Sequence, residues 1–403
     1  MKSVLCRRNS TIFIIIEHMS NFIAASQQAA EEGFRKHFGM DAAITSRAPG
    51  RLEILGNHTD YNQGTVLSVA VDRAMFIAAS PVAGKICSLH DLKSNSDRSF
   101  NLDELANPRK GDWANYIKGL VVELQKRGIA VPAFNAVLYG TVPLSAGMSS
   151  SAALEMAMLA ILNRLAAANL PWLEMARIGQ ATENNYIGAN TGLMDQLSSL
   201  KGKAGCLIYS DFRTFEVENV AMPEGTVFVV ANSMVKHNLT NEYNERREAC
   251  EDAAATLKIP ALRDATTRML EDNRAILKPS SYRRALHVVG EIERVARGRA
   301  ALAAGDIRLF GRIMSQSHQS SIENFENSCP EIDKLVEIGG TLPGFLGARL
   351  SGGGFGGISV HLVEAPQAES YMASLADGYR RATGLDAQIM QCTAADGAQI
   401  LRG

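Results

Sequence analysis

The chain has 403 residues, 46% hydrophobic and 21% charged, which is ordinary for a globular protein and long enough for two domains. Its 41 Lys and Arg against 42 Asp and Glu leave a net charge of −1, which argues against a nucleic-acid or anionic-membrane partner. The six cysteines (Cys6, Cys87, Cys206, Cys250, Cys329, Cys392) are scattered, with no C-x-x-C pair and no metal-ligand spacing. They are expected to be reduced, mostly buried thiols of a cytoplasmic protein.

Residues 1–18 read as an extension outside the fold. Arg7 and Arg8 precede an apolar run, Ile12 to Ile16, that Glu17 and His18 end too early for a signal peptide. Met19 then opens a normal domain start. The pattern predicts an amphipathic helix over 22–39, a strand starting across Ala43 to Arg47, and strand-like runs through 65–80. Phe134 to Val142 alternates as a half-buried strand. Leu154, Met158, Ile161, Leu162 and Leu165 then fall on one helical face. Leu170 to Leu200 is helical, interrupted at Gly188 to Gly192. Thr226 to Ala231 is a buried strand opening a second half. A helical region follows from about Glu242 to Arg312, broken near Pro260 and Pro279, then a strand at Ile358 to Val363 and a helix over 366–383. This is an α+β mixture without the strict βαβ rhythm of a doubly wound sheet.

Between the strand ending at Val142 and the following helix lies Pro143-Leu144-Ser145-Ala146-Gly147-Met148-Ser149-Ser150-Ser151-Ala152-Ala153. A strand, a small-residue loop and a helix N-terminus offer free backbone N–H groups and the positive end of the helix dipole. The serines add hydroxyls that can contact phosphate oxygens or a metal. Such loops also occur as plain connections. This one is neither G-x-x-x-x-G-K-[ST] nor part of a protein-kinase set. Gly50-Arg51-Leu52-Glu53-Ile54-Leu55-Gly56-Asn57-His58-Thr59-Asp60-Tyr61-Asn62-Gln63-Gly64 concentrates hydrogen-bonding side chains that suit a hydroxyl-rich substrate, or equally a polar turn. Ser351-Gly352-Gly353-Gly354-Phe355-Gly356-Gly357 precedes a strand and by itself is a common kind of turn.

Taken in chain order, Gly50 to Gly64, then the serine loop, then Ser351 to Gly357, the three segments resemble the galactokinases of the GHMP small-molecule kinase family. The first is similar to the signature G-R-x-N-x-I-G-E-H-T-D-Y, and the serine loop to P-x-G-x-G-L-S-S-S-A. Gly347-Ala348-Arg349-Leu350 through Gly357 is similar to G-A-R-x-T-G-A-G-F-G-G. Trp113-Ala114-Asn115-Tyr116, Gly192-Leu193-Met194-Asp195-Gln196, His237 to Tyr243 and Ser328-Cys329-Pro330-Glu331 agree as well, so the resemblance covers about residues 22–400. It implies an N-terminal α/β domain of the ribosomal-protein-S5 type (19–222), a C-terminal α+β domain (223–403), and an active site between them.

The resemblance also implies roles. Asp195 would take the proton of the anomeric hydroxyl of a hexose, and Arg51 would keep that carboxylate ionised. Without the resemblance, Asp195 reads as a helix N-cap after Gly192. His58, Asp60, Gly192, Tyr243 and Asn57 fall at sugar-contacting positions. Gly147, Ser149, Ser150 and Ser151 fall at the ATP phosphates, Trp113 and Tyr116 near the adenine, and Ser151 and Glu183 at Mg²⁺, which favours few, hard oxygen ligands. Alone, Glu183 passes for a solvated helix residue and the two aromatics for core packing.

Two positions depart from the pattern. Asn57 stands where the signature has glutamate, expected to accept a hydrogen bond from a sugar hydroxyl; a charge-assisted bond of this kind is worth roughly 1.5–3 kcal/mol. An amide there would also suit a sugar with a carboxylate on C6, or a C6-deoxy sugar. Ser145 replaces a glycine and Met148 a leucine in the phosphate loop; serine fits only where φ is negative. The expected function is an ATP- and Mg²⁺-dependent sugar 1-kinase, a monomer acting on D-galactose. The alternatives are a 1-kinase for galacturonate or N-acetylgalactosamine, and a non-catalytic sensor of sugar and ATP.

Overall fold

The computed structural model describes residues 22–105, 107–143, 147–222, 224–235 and 240–403, the side chains of 240 and 241 excepted. The expected extension 1–18, Ser145 and His237 lie outside these residues. The first part of the chain gives helix α1 (22–38) and strands β1 (Ile44–Leu55), β2 (Thr65–Pro81), β3 (Ile86–Asp91) and β4 (Ser96–Asn101). It continues with α2 (Asn115–Lys126), β5 (Phe134–Gly140), α3 (Ser150–Leu165), α4 (Trp172–Ala181), α5 (Met194–Lys201), β6 (Cys206–Asp211) and β7 (Val217–Ala221). The second part contains β8 (Thr226–Asn232), α6 (Thr240–Leu257), α7 (Thr267–Asp272), α8 (Pro279–Ala303), α9 (Ile307–Ser320) and α10 (Pro330–Gly340). It ends with β9 (Phe345–Ser351), β10 (Ile358–Glu364), α11 (Ala368–Thr383), β11 (Gln388–Cys392) and β12 (Gln399–Arg402).

Eight strands form one sheet in the order β12-β1-β2-β5-β3-β4, with β6 pairing β2 and β7 extending β6. Its pairs are antiparallel except β3 with β5. The expected boundary at residue 222 falls between β7 and β8, and β12 then crosses back to pair with β1. The strand expected from residue 43 runs through the first half of the glycine-bounded segment: all of Ile44–Leu55 is buried. Arg51, Leu52 and Glu53 therefore sit on a covered strand rather than in a turn. Their partners Ala70, Val69 and Ser68 lie in unbroken register.

The second sheet runs β11-β8-β10-β9, all antiparallel. Its central strand β8 alternates as a strand covered on both faces must. Val229 and Ala231 pack with Ile332 and Leu335 of α10 and Tyr371 and Leu375 of α11. Phe228 and Val230 face the other way and join Phe310, Ile313 and Met314 of α9 and Leu52 of β1 in the main core. That core thus runs from one sheet to the other. Helix α9 crosses β9 at backbone contact: a Cβ on Gly311 would lie 2.0 Å from the Leu346 carbonyl oxygen, so only glycine fits. Pro279, expected to break a helix, instead begins α8, where a missing N–H and a fixed φ cost nothing. The breaks fall between Leu257 and Thr267, around Pro260, between Asp272 and Pro279, just before the proline, and between Ala303 and Ile307.

Candidate active site

Strand β1 delivers Arg51 to the junction of three elements. Its Nε donates to Asp195 Oδ1 at 2.7 Å, its Nη2 lies 2.7 Å from the same oxygen, and its Nη1 donates to the Gly147 carbonyl at 2.6 Å. The Arg51 side chain is 6% exposed and that of Asp195 25%. Asp195 lies in the first turn of α5 but caps nothing: the N-cap is Leu193, without a side-chain bond. Its carboxylate points back to Arg51 and accepts a short hydrogen bond from Ser149 Oγ on its other oxygen. Ser149 precedes α3 with φ +51, and Gly147 has φ +66. The loop thus turns tightly just where the free N–H groups of the helix begin.

Downstream of β1 the signature loop is fixed from the second half of the chain. Glu291, on α8 and fully buried, accepts from the backbone N–H of Gly56 at 2.9 Å and of Asn57 at 3.0 Å, and from Ser317 Oγ at 3.0 Å. Burial opposes its charge, but Arg294, in a short ion pair, and then His287 and Arg349 hold its carboxyl far below the ordinary range. Asn57 is sealed: Nδ2 donates to Glu53 Oε1 at 2.8 Å and to the Gly352 carbonyl at 2.9 Å, while Oδ1 accepts from Asn327 Nδ2 at 2.9 Å. Glu53 Oε1 also pairs with Arg349 Nη1 at 2.8 Å, and the Arg349 side chain has no exposure.

These elements enclose a cavity of about 260 Å³. Arg51 and Asp195 line it, as do the five residues expected at the sugar: Asn57, His58, Asp60, Gly192 and Tyr243. His58 adopts φ +61 and places Nδ1 2.9 Å from the Tyr61 hydroxyl and Nε2 3.2 Å from the Gly353 carbonyl. Its ring centroid lies 5.1 Å from that of Tyr243. Burial pushes the His58 pKa down to about 3, so the imidazole is neutral. Burial raises Asp60 to about 7, with the Asp195 charge adding to the rise. Gly192 is a glycine because a Cβ there would sit 1.6 Å from Asp60 Oδ2.

Behind Asp195 carboxylates gather. Burial, then the neighbouring Glu183, pushes Glu155 well above the ordinary range, and its Oε1 is sealed without a partner. Burial also raises Glu183, with Asp195 adding to it and the Thr191 and Ser151 hydroxyls opposing it. Thr191 Oγ1 donates to Glu183 Oε2 at 2.6 Å. Ser151 and Glu183 are therefore neighbours, on α3 and on the turn after α4.

The two aromatics expected near adenine lie apart from the cavity. Trp113 and Tyr116 pack half-buried against the main core. Trp113 Nε1 donates to Ser96 Oγ at 3.3 Å, and Arg98 lies 5.8 Å from its ring centroid. Burial raises the Tyr116 phenol to about 12, and the Glu183 and Glu155 charges add to this.

Four participants carried no role in the sequence reading. Glu53 was visible, since it stands where the quoted signature has asparagine. Arg349 lay inside a quoted block. Glu291 and Asn327 gave no local signal, because their partners are more than 200 residues away in the chain.

The comparisons agree with this geometry. Residues 32–81 match a model of the galactokinase galactose-binding signature, 115–203 the GHMP kinases N terminal domain and 299–378 the GHMP kinases C terminal. The galactokinase of Chloroflexus aggregans is 37% identical over 374 residues, covering 91% of this chain and 96% of the relative. The Homo sapiens galactokinase is 38% identical over 384 residues, covering 92% and 96%. The Lactococcus lactis galactokinase solved with galactose superposes at a TM-score of 0.88 with 30% identity, over 92% of this chain and 98% of that one. A Methanococcus jannaschii mevalonate kinase at 18% identity and a TM-score of 0.62 shares the fold. With the galactokinase signature, both GHMP kinase domains and this identity over nine-tenths of its length, the chain belongs to the galactokinase family.

Proposed function

We infer that the protein transfers the γ-phosphoryl group of ATP to the anomeric hydroxyl of D-galactose, giving galactose 1-phosphate and ADP. The observation that carries this is Asp195, at the wall of a hexose-sized cavity, with one oxygen held by Arg51 and the other by Ser149. Phosphoryl transfer needs positioning and charge stabilisation more than covalent chemistry. Asp195 accepts the proton of the C1 hydroxyl as the new O–P bond forms. Arg51 holds the Asp195 carboxylate in place and offsets the negative charge that develops beside it. The N–H groups at the start of α3, with Gly147 and the Ser149, Ser150 and Ser151 hydroxyls, receive the phosphates. Trp113 and Tyr116 border the adenine.

Ser151 and Glu183 would hold Mg²⁺. Their hard oxygen donors suit that ion, and the buried carboxylates Glu155 and Glu183 lie close together with no ion-pair partner among the described residues. Bound there, Mg²⁺ would neutralise charge on the phosphate oxygens. Neutral His58, with Asp60, Gly192 and Tyr243, orients the sugar. The expected preference of Asn57 for an acidic sugar loses its basis: both Asn57 N–H groups are taken, and the Glu53 carboxylate lines the cavity. The protein is read as a cytoplasmic monomer. Among the described residues no helix is long and apolar enough to cross a membrane, and Cys87, Cys250, Cys329 and Cys392 are free and buried.

The test is ADP release with ATP and Mg²⁺ on galactose, galacturonate, N-acetylgalactosamine, fucose and glucose, with the phosphorylated carbon located by NMR. Turnover of galactose to its 1-phosphate is expected. Preferred turnover of another sugar would overturn the substrate assignment, and silence across the panel would favour a non-catalytic sensor.

A further inference from the structure

The signature quoted for this family has asparagine four residues before glutamate. Here the two are exchanged, Glu53 before Asn57. The structure shows what makes the exchange possible: the two side chains are hydrogen-bonded to each other at 2.8 Å. Swapping carboxylate and amide preserves that bond and the total charge, but it moves the charge.

The hydrogen-bond inventory then decides which of the two serves a ligand. Asn57 has two N–H donors, and Glu53 and Gly352 take both; Asn327 occupies its oxygen. Glu53 is different. Its Oε1 accepts from Asn57 and Arg349, whereas Oε2 has no hydrogen-bond partner among the described residues and is not sealed from solvent. Glu53 lines the same cavity as Asp195. Burial outweighs Arg349 and Arg51 and pushes its carboxyl above the ordinary range, so a further donor would stabilise the charged form.

Strand geometry fixes where Glu53 acts. Arg51 and Glu53 are two apart on a regular stretch of β1, so they point to the same face, about 6.5 Å along the strand from each other. Arg51 marks the end where Asp195 meets the C1 hydroxyl. Glu53 therefore meets the ring on the side away from C1.

We propose that Glu53, rather than Asn57, accepts a hydrogen bond from a hydroxyl of the hexose remote from C1, and that Asn57 is a positioning residue that holds the Glu53 carboxylate. This deepens the galactose 1-kinase reading and rests on it. A carboxylate in this place selects neutral sugars with a hydroxyl donor and rejects acidic ones.

The test is kcat/KM for galactose and for its 2-, 4- and 6-deoxy analogues, with thermal melts to confirm folding. The proteins are the wild type, Glu53→Gln, Glu53→Asn, Asn57→Glu and the double exchange Glu53→Asn/Asn57→Glu. In the wild type, removing the hydroxyl that Glu53 binds is expected to cost about 10- to 100-fold. In Glu53→Gln the penalty for that one analogue shrinks to a few-fold, while the other penalties stay. Asn57→Glu, which sets two carboxylates in contact, falls by at least tenfold on galactose, as does Glu53→Asn. The double exchange recovers most of the loss and restores the analogue's penalty. Because Glu53→Gln strips buried Arg349 of its charge partner, it can fail to fold. Glu53→Asp then makes the same comparison: it keeps the charge, withdraws it by one methylene, and must shrink the same penalty. Deoxy-sugar penalties unchanged by either Glu53 variant would overturn the proposal, as would a double exchange no better than its singles. Wild-type silence on galactose would overturn the kinase reading itself, whereas turnover with unmoved penalties would remove only this inference.

Discussion

Two polar clusters share strand β1 and differ in what they leave open. At Arg51 the charges are few and partly exposed: the Asp195 side chain keeps 25% of its surface, and its partners are one arginine and one serine. Behind Glu53, which itself still lines the cavity, Arg349, Asn57, Asn327 and Glu291 form a buried network that draws on β1, β9, α8 and the segment after α9. Two residues of one strand thus lead from a site that must react to a lattice that must not move. Buried polar networks specify a unique geometry when every member is satisfied and are costly when one is removed. The exposed cluster should therefore fail in rate, and the sealed one in stability.

The largest effect belongs at the exposed end. Asp195→Asn keeps the shape of the side chain but removes the proton acceptor. It is expected to lower kcat by roughly 10²–10⁴-fold, a loss larger than the fall in stability that comes from leaving Arg51, 6% exposed, without its charge partner. A stability loss of several kcal/mol, with kcat largely kept, would erase the distinction between the clusters.

The sealed end should show the reverse. Glu291→Gln leaves half-buried Arg294 without its charge partner and weakens two backbone anchors. It is expected to cost about 3–5 kcal/mol in denaturant unfolding near neutral pH. The pH dependence identifies the cause. The folded-state pKa of Glu291 is depressed, so its contribution is fully present above its unfolded value, about 4.5, and is lost as pH falls toward the folded one. The gap between wild type and variant should close by up to about 1.4 kcal/mol per pH unit below roughly pH 4.5. A gap that stays constant with acidification would mean that packing, not charge, fixes the loop.

Between these extremes lies Gly192→Ala, where a methyl group would overlap Asp60 Oδ2. Asp60 must yield at a cost of about 1–3 kcal/mol. The loss should appear in KM for the sugar while KM for ATP holds, because both residues line the cavity and neither belongs to the serine loop.

Such contrasts were only partly legible in the sequence. Periodicity located the helix of residues 22–38, β2, β5, α3, β8 and α11, because each buries one face or both and its pattern follows. It missed the strand character of Gly50 to Leu55, where Arg51 and Glu53 break the apolar run with charges that are satisfied only in three dimensions. Short edge strands such as β4 and β12, half exposed and with few apolar residues, left no period to read. Of the site, the family resemblance named Arg51, His58, Asp60, Gly192, Asp195 and Tyr243, which line one cavity. Asn57 was read from its position alone, as a free amide. Only the donor count, with both N–H groups consumed inside the protein, separates a residue facing a ligand from one bracing a neighbour.

The smallest predicted effect tests whether the exposed cluster depends on each single bond. Ser149→Ala removes the hydroxyl that bonds Asp195 Oδ2 but leaves the Arg51 pair on Oδ1. Helix α3 has no side-chain cap to lose, since Ser149 makes none. Stability should therefore stay within about 0.5 kcal/mol. One hydrogen bond to a charged group restrains the carboxylate by roughly 1.5 kcal/mol, so kcat should fall about tenfold, measured as single-turnover ADP formation at saturating sugar and ATP. A matching rise in KM for ATP would place Ser149 at the phosphates as well, and no loss at all would leave Arg51 as the one group that aims Asp195 among the described residues.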